Sequence, residues 1–232
     1  MKVHVIIPAL NEEKSIGLVI RDIPCPPVSL IIVSDNGSSD LTAENAATAG
    51  AVVVRGSKKG YGSACLKGIE YERALPIENQ ADIIVFIDGD YSDFPEELLN
   101  LIKPILENKA DLVIGSRVLG QAAKGSLTQI QIFGNSLATK LILYLFGYRF
   151  TDLGPFRAIR YSSLIQLNLS DPNYGWTVEM QVKAAQAKLR CTEVPVNYKN
   201  RIGQSKVSGT IKGSALAGIK ILSTIFKNYL RL

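Results

Sequence analysis

The strongest constraint on this chain is an alternation. Five short runs rich in β-branched residues, Val3 to Ile7, Leu30 to Val33, Ala51 to Val54, Ile83 to Ile87 and Leu112 to Ile114, are separated by stretches with helical patterning. Runs this short and this apolar are expected as strands buried on both faces. The helical stretches are Glu13 to Arg21, Leu41 to Ala49, Gly62 to Ala74 and Pro95 to Glu107, the last opening with a proline and two glutamates as a helix N-terminus prefers. The pattern predicts an α/β fold with a mostly parallel central sheet flanked by helices. Ligands of such folds bind beyond the carboxyl ends of the strands, so polar residues there need a functional account.

With 232 residues, 47% of them hydrophobic, the chain can bury one sizeable core. The expected organisation is a domain over residues 1–210 and a basic amphipathic helix over 211–232, packed on the core or lying on a membrane surface. In that helix Leu216, Ile219, Leu222 and Phe226 share one side and Lys220 and Lys227 another, while Ile221 and Ile225 widen the apolar arc. A second helical stretch, Ile130 to Phe146, is apolar on much of its circumference. Charge is uneven: residues 183–232 carry ten Lys/Arg and one acid, Glu193. That field suits anionic lipid headgroups, phosphorylated substrates or nucleic acid, and charge alone does not choose among them. Cys25, Cys65 and Cys191 show no CxxC spacing, which indicates neither a zinc site nor a disulfide framework and points to a reducing compartment. The N-terminus runs directly into a strand without a secretory leader, and no run reaches the roughly 18 apolar residues of a membrane span.

Chemistry concentrates where the strands end. The first strand runs into IIPALNEE, where Pro8 and Asn11 replace the glycines of a dinucleotide turn, so a Rossmann cofactor is not expected. The GSKKGYGSACLKG segment has glycines before a helix but lacks the GK[ST] ending of a P-loop. In VSDNGSSD, Asp40 is placed to cap the next helix, whereas Asp35 is free to accept hydrogen bonds from a base or ribose. The fourth strand is followed at once by Asp88, Gly89 and Asp90. Two carboxylates around a glycine can converge on a hard cation such as Mg2+ or Mn2+, which would complete its shell with substrate phosphates. The structural alternative is a polar strand exit, with Asp93 capping the helix that begins at Pro95.

The ordered set IIPALNEE, VSDNGSSD, KKGYGSA, FIDGDYSDFPEEL, VIGSR, TDLGPFRAIR, GWTVEMQ and RIGQSK resembles the family-2 glycosyltransferases. The likeness is greatest to the branch resembling dolichol-phosphate mannose synthase and the bacterial polyprenyl-phosphate glycosyltransferases, and it covers nearly the whole chain. It implies a GT-A-like fold, an inverting transfer from a nucleotide-diphosphate sugar, UDP- or GDP-linked, and Mg2+ or Mn2+ on the donor diphosphate. By motif, Pro8, Asn11, Glu12 and Asp35 would hold the nucleoside, and Asp88 and Asp90 the ribose and metal. Arg117, Arg201, Ser205 and Lys206 would meet the negative charge that develops on the leaving group. Asp152 and Glu179 are the candidate acids beside the sugar, Glu179 lying where hydroxyl-directed relatives keep their base. Arg157 carries a weaker motif signal, and Trp176 and His4 are expected in the core.

The resemblance implies polyprenyl or dolichyl phosphate as acceptor and peripheral contact with the inner face of the membrane from the cytoplasm, without nucleic acid. A hydroxyl acceptor is the alternative, with Glu179 or Asp152 as base. One departure bears on this choice: the loop before the apolar helix reads SLTQIQIFGNS, with Gln129 and Gln131 where lipid-phosphate enzymes usually carry a basic residue, and Lys124 is the candidate substitute. Two rivals belong to other classes. A nucleotidyltransferase would need a GxGTRL-like opening loop, which IIPALNEE lacks, and a non-catalytic sugar-nucleotide or membrane-surface module would tolerate loss of one metal carboxylate, though both are present.

Overall fold

The computed structural model describes residues 1–56, 58–203 and 211–230, the side chains of 211–215 excepted. Seven strands form one sheet: β1 (Val3–Ala9), β2 (Val28–Asp35), β3 (Val52–Arg55), β4 (Ile83–Phe86), β5 (Leu112–Ser116), β6 (Arg157–Arg160) and β7 (Cys191–Pro195). Their spatial order is β3-β2-β1-β4-β6-β5-β7. β1 to β4 are parallel, β5 pairs parallel with β7, and β6 runs antiparallel between β4 and β5. The expected α/β fold with a mostly parallel sheet is therefore present, and β6 and β7 are additions to the expected strands.

The period-two alternation of the strands splits the core into two layers. Val5, Ile7, Val85 and Ile87 face one side, where they meet α1 (Ile16–Asp22), α2 (Thr42–Thr48) and α4 (Leu98–Leu106). Ile6, Ile84 and Phe86 face the other, covered by α3 (Tyr61–Ala74), α5 (Gln129–Phe146), α6 (Tyr161–Leu167), α7 (Trp176–Gln186) and α8 (Ile211–Tyr229). Phe86 is fully buried edge-to-face against Trp176, ring centroids 4.7 Å apart, and burial of such a side chain contributes about 2–3 kcal/mol. Trp176 is a core residue, as expected, and His4 is likewise buried, its Nδ1 2.7 Å from Glu72 at the far end of the sheet from the acidic pair.

α5 opens with a capping box, Thr128 and Gln131 each satisfying the other's backbone, and closes on Gly147 in the left-handed region. α8 packs against α5 and α7: Ile225 is fully buried and Phe146 stacks edge-on with Tyr229 at 5.9 Å. The same pair of helices leaves Ile132, Phe133, Tyr144, Ile219 and Phe226 exposed. No helix among the described residues is long and apolar enough to cross a membrane.

Candidate active site

β4 places the acidic pair at the middle of the sheet, where β1 and β6 crowd it from either side. Asp88 is partly buried and accepts a hydrogen bond from the Tyr61 hydroxyl at 2.9 Å. Burial, and then the charge of Asp90, push the Asp88 carboxyl up to about 7. Asp90 receives the Ser92 backbone N–H at 2.9 Å and an ion pair from Arg201 at 2.8 Å. Arg201 also reaches Glu12 at 3.3 Å, so one guanidinium ties the end of β1 to the end of β4. Among the described residues no three His, Cys, Asp or Glu side chains form a self-sufficient metal cage. The donor set nevertheless fits Mg2+ or Mn2+: two hard carboxylates are held close enough to repel each other, and such ions take their remaining oxygens from water and substrate phosphate.

Asp93 does not cap the helix that begins at Pro95, contrary to the alternative raised from its spacing. It is buried, neither carboxylate oxygen has a hydrogen-bond partner among the described residues, and burial followed by the charges of Asp88 and Asp90 raises its carboxyl well above the usual range. Phe94 takes the N-cap position of the turn that begins at Pro95, and the Asp93 backbone bridges that of Tyr198. Asp40 does act near a helix start, accepting the Thr42 N–H at 3.0 Å.

Two cavities meet at this edge. One, of about 380 Å³, is lined by Pro8, Glu12, Asn36, Lys59, Gly60 and Tyr61 together with Asp88 and Asp90. The other, of about 570 Å³, begins at Asp88, Asp90 and Arg117 and continues between α5 and α8, past Ile130, Ile132 and Ile221. Tyr61, Asp88, Asp90, Tyr174 and Arg201 belong to both. Pro8 and Glu12 thus line the smaller cavity as the motif implies. Asp35 and Asn11 brace its rim: buried Asp35 accepts the Ser38 N–H at 3.1 Å, while Asn11, at φ 53°, accepts the Ser39 N–H at 2.9 Å and donates its own N–H to the Ser38 hydroxyl at 2.9 Å. Asn36 donates to the Gly60 carbonyl at 2.9 Å, and its buried Oδ1 has no partner among the described residues.

The wall shared by both cavities depends on two glycines. A Cβ at Gly60 would stand 2.2 Å from the Pro172 carbonyl oxygen, and one at Gly62 2.0 Å from that of Asp171. Side chains there would push the 171–174 loop, and Tyr174 with it, off the start of α3.

Arg117, past the end of β5, is fixed by Asp152. Its backbone N, Nε and one terminal nitrogen donate to the Asp152 carboxylate at 2.9, 2.7 and 2.7 Å, and its guanidinium lies 5.0 Å from the centre of the Tyr198 ring. Burial raises the Asp152 carboxyl, but the Arg117 charge and hydrogen bonds outweigh it and hold it below the usual carboxylate range. Glu179 lines neither cavity: it accepts the N–H groups of Ser170 and Asp171, the shorter at 2.7 Å, and pairs with Lys183 at 2.8 Å. Its position therefore anchors the 170–175 loop. Arg157 is entirely buried and has no carboxylate partner among the described residues, and burial lowers its guanidinium to about 10. Ser205 and Lys206 lie outside the described residues. Tyr61, Tyr174 and Tyr198 were not singled out from sequence; Tyr61 lies within the KKGYGSA motif, but no motif chemistry marks the other two.

Residues 4–167 match the family described as Glycosyl transferase family 2. An uncharacterised glycosyltransferase of Mycobacterium tuberculosis is 34% identical over 93% of this chain and 94% of its own. An undecaprenyl-phosphate mannosyltransferase of Micrococcus luteus is 33% identical over 94% and 93% of the two chains, and a dolichyl-phosphate hexose transferase of Haloferax volcanii is 27% identical over 98% and 96%. Among solved structures, glucosyl-3-phosphoglycerate synthase from Mycobacterium tuberculosis, in complex with Mn2+, UDP and glucosyl-3-phosphoglycerate, superposes with a TM-score of 0.74 at 23% identity, covering 98% of this chain and 79% of that one.

Proposed function

Because the chain belongs to glycosyl transferase family 2 and is a glycosyltransferase, we propose that it moves a hexose from a nucleotide-diphosphate sugar to polyprenyl phosphate, at a membrane surface on the cytoplasmic side. The observation that carries this proposal is the junction of the two cavities at Asp88 and Asp90. The smaller, with its buried polar rim, is suited to a nucleoside; the larger leaves the same carboxylates along an apolar channel between α5 and α8, which suits an isoprenoid chain.

In the proposed reaction a phosphate oxygen of the acceptor attacks the anomeric carbon. The bond from that carbon to the donor diphosphate breaks, its electron pair leaves on the diphosphate oxygen, and a single displacement inverts the centre. Mg2+ or Mn2+, held by Asp88 and Asp90, would supply positive charge to the leaving diphosphate. Arg117 presents a guanidinium at the same edge that Asp152 has already oriented, and Arg201 reaches both cavities. A lipid phosphate is ionised at neutral pH and needs no general base. That requirement agrees with the two candidate bases, since Asp152 is spent on Arg117 and Glu179 on the 170–175 loop. A hydroxyl acceptor would need one of them.

The channel's surroundings support peripheral membrane contact. Ile130 and Ile132 line the channel and are also about half exposed, beside exposed Phe133 and Ile219. Segments 118–151 and 194–232 contain no Asp or Glu, and Lys140, Arg149 and Lys227 are exposed on them. Such a surface favours an anionic bilayer by about 1 kcal/mol per basic residue close to it, in addition to its apolar contact.

Release of nucleoside diphosphate from a panel of UDP- and GDP-hexoses, with and without short-chain polyprenyl phosphate, tests the proposal. The expected result is release that needs Mg2+ or Mn2+, rises with the lipid phosphate and disappears in Asp90→Ala. Donor turnover indifferent to lipid phosphate would refute the acceptor, and failure to bind any nucleotide sugar would refute the donor.

A further inference from the structure

Residues 151–154, which join α5 to β6 and carry Asp152, belong to no helix or strand, and their backbone is held by side chains from four other places. Glu193 of β7 accepts the N–H groups of Thr151 at 2.9 Å and Asp152 at 3.1 Å. Asn135 of α5 donates to the Thr151 carbonyl and accepts the Leu153 N–H, both at 2.9 Å. Gln181 of α7 donates to the Asp152 carbonyl at 3.0 Å. Arg157 of β6 donates to the Leu153 carbonyl at 3.1 Å and also to that of Gly154. All four carbonyls and the first three N–H groups of this segment are satisfied in this way.

Local sequence does not demand such an arrangement. Gln181 and Arg157 are fully buried, and burying a charged guanidinium against neutral carbonyls, with its Nε lacking a partner among the described residues, is costly unless the site requires it. What the segment presents is a single carboxylate, and that carboxylate fixes a single arginine through three hydrogen bonds, one from its backbone N–H and two from its guanidinium. Gly154 completes the fit, since a Cβ there would stand 2.7 Å from the Gly115 carbonyl oxygen and 3.3 Å from the Asp152 carboxylate.

We propose that Asn135, Arg157, Gln181 and Glu193 are positioning residues for Arg117, acting through Asp152: they fix the 151–154 backbone so that the guanidinium is oriented before substrate arrives. Preorganised charge of this kind needs no reorganisation during reaction. Its catalytic consequence rests on the glycosyl transfer proposed above, but the geometric claim does not.

The test uses Gln181→Met and Glu193→Gln, which alter residues that line neither cavity. The first readout is hydrogen exchange at the Arg117 Nε–H, followed by nitrogen-15 NMR and assigned with Arg117→Lys. Exchange about tenfold faster than wild type is expected in both variants. The second readout is turnover: kcat should fall about tenfold with donor KM within about twofold, and neither substitution should cost more in an Arg117→Lys background. Unchanged Nε–H exchange in a folded variant would overturn the proposal, as would a full further loss of kcat on top of Arg117→Lys. If wild type turns over no nucleotide sugar, the transfer reaction fails, while the exchange measurement still decides the positioning role.

Discussion

Replacing Asp152 by asparagine removes the charge that holds Arg117 and leaves one carbonyl oxygen where two carboxylate oxygens accept three hydrogen bonds. The Arg117 side chain is only 14% exposed and that of Asp152 1%, so water cannot replace the lost partner in place. Removing one member of a buried ion pair costs about 3–5 kcal/mol. At the lower figure, a chain of this size should melt roughly 6–12 °C below wild type at pH 7. The pH dependence has a definite sign. Because the folded carboxyl is held below its usual value, its stabilisation is present above the unfolded pKa of about 3.9 and is lost as pH falls through the folded pKa. The difference between wild type and Asp152→Asn should therefore be full at pH 7 and shrink below about pH 4. Calorimetric or circular-dichroism melts across that range measure it. A difference under about 2 °C at pH 7, or one that persists unchanged into acid, would refute the pairing.

Glu179→Gln separates a loop anchor from a base: the variant should be less stable by about 1–3 kcal/mol yet retain kcat within a few-fold at temperatures where it is folded, whereas loss of a general base would cost about 100-fold or more. Gly62→Ala should displace the 171–174 loop, raise donor KM and lower the melting temperature, because the added methyl meets the Asp171 carbonyl at 2.0 Å; unchanged KM would contradict the shared wall. Mn2+ affinity measured by titration calorimetry without donor should weaken as pH falls below about 7, since Asp88 must lose a proton to bind the ion, and Asp88→Asn should flatten that dependence. Phe133→Ser with Ile219→Ser should reduce co-sedimentation with phosphatidylglycerol vesicles several-fold while leaving the melt within about 2 °C, because both side chains are exposed.

The layered fold was legible because β4 is an uninterrupted apolar run and the centres of β1 and β2 are apolar and buried, as a strand covered on both faces requires. β6 and β7 were not. RAIR is four residues with an arginine at each end, and Arg157 is tolerated in the sheet interior only because three backbone carbonyls receive it. CTEVP is a half-exposed edge strand holding a glutamate and a proline, with no alternation to read. The strand-end residues Pro8, Glu12, Asp88, Asp90 and Arg117, singled out from sequence, all line the two cavities, because topology alone brings strand ends together. The partners of Asp152 and Glu179 were not legible, since a carboxylate's partner is set by loops: Arg117 stands 35 positions from Asp152, and the 170–171 N–H groups fold back onto Glu179. The apolar channel was hidden for the same reason, as it exists only where α5 and α8 pack side by side.

The most direct test of the junction between a nucleotide cavity and an apolar channel is the chemical identity of the product. Wild-type protein, Mn2+, a radiolabelled nucleotide hexose and a polyprenyl phosphate are combined, and the lipid phase is analysed by mass spectrometry and by NMR of the anomeric centre. The expected product is a hexosyl-phosphate polyprenol with the anomeric configuration opposite to that of the donor. A water-soluble glycoside, free hexose alone, or a lipid product of retained configuration would contradict the proposed reaction.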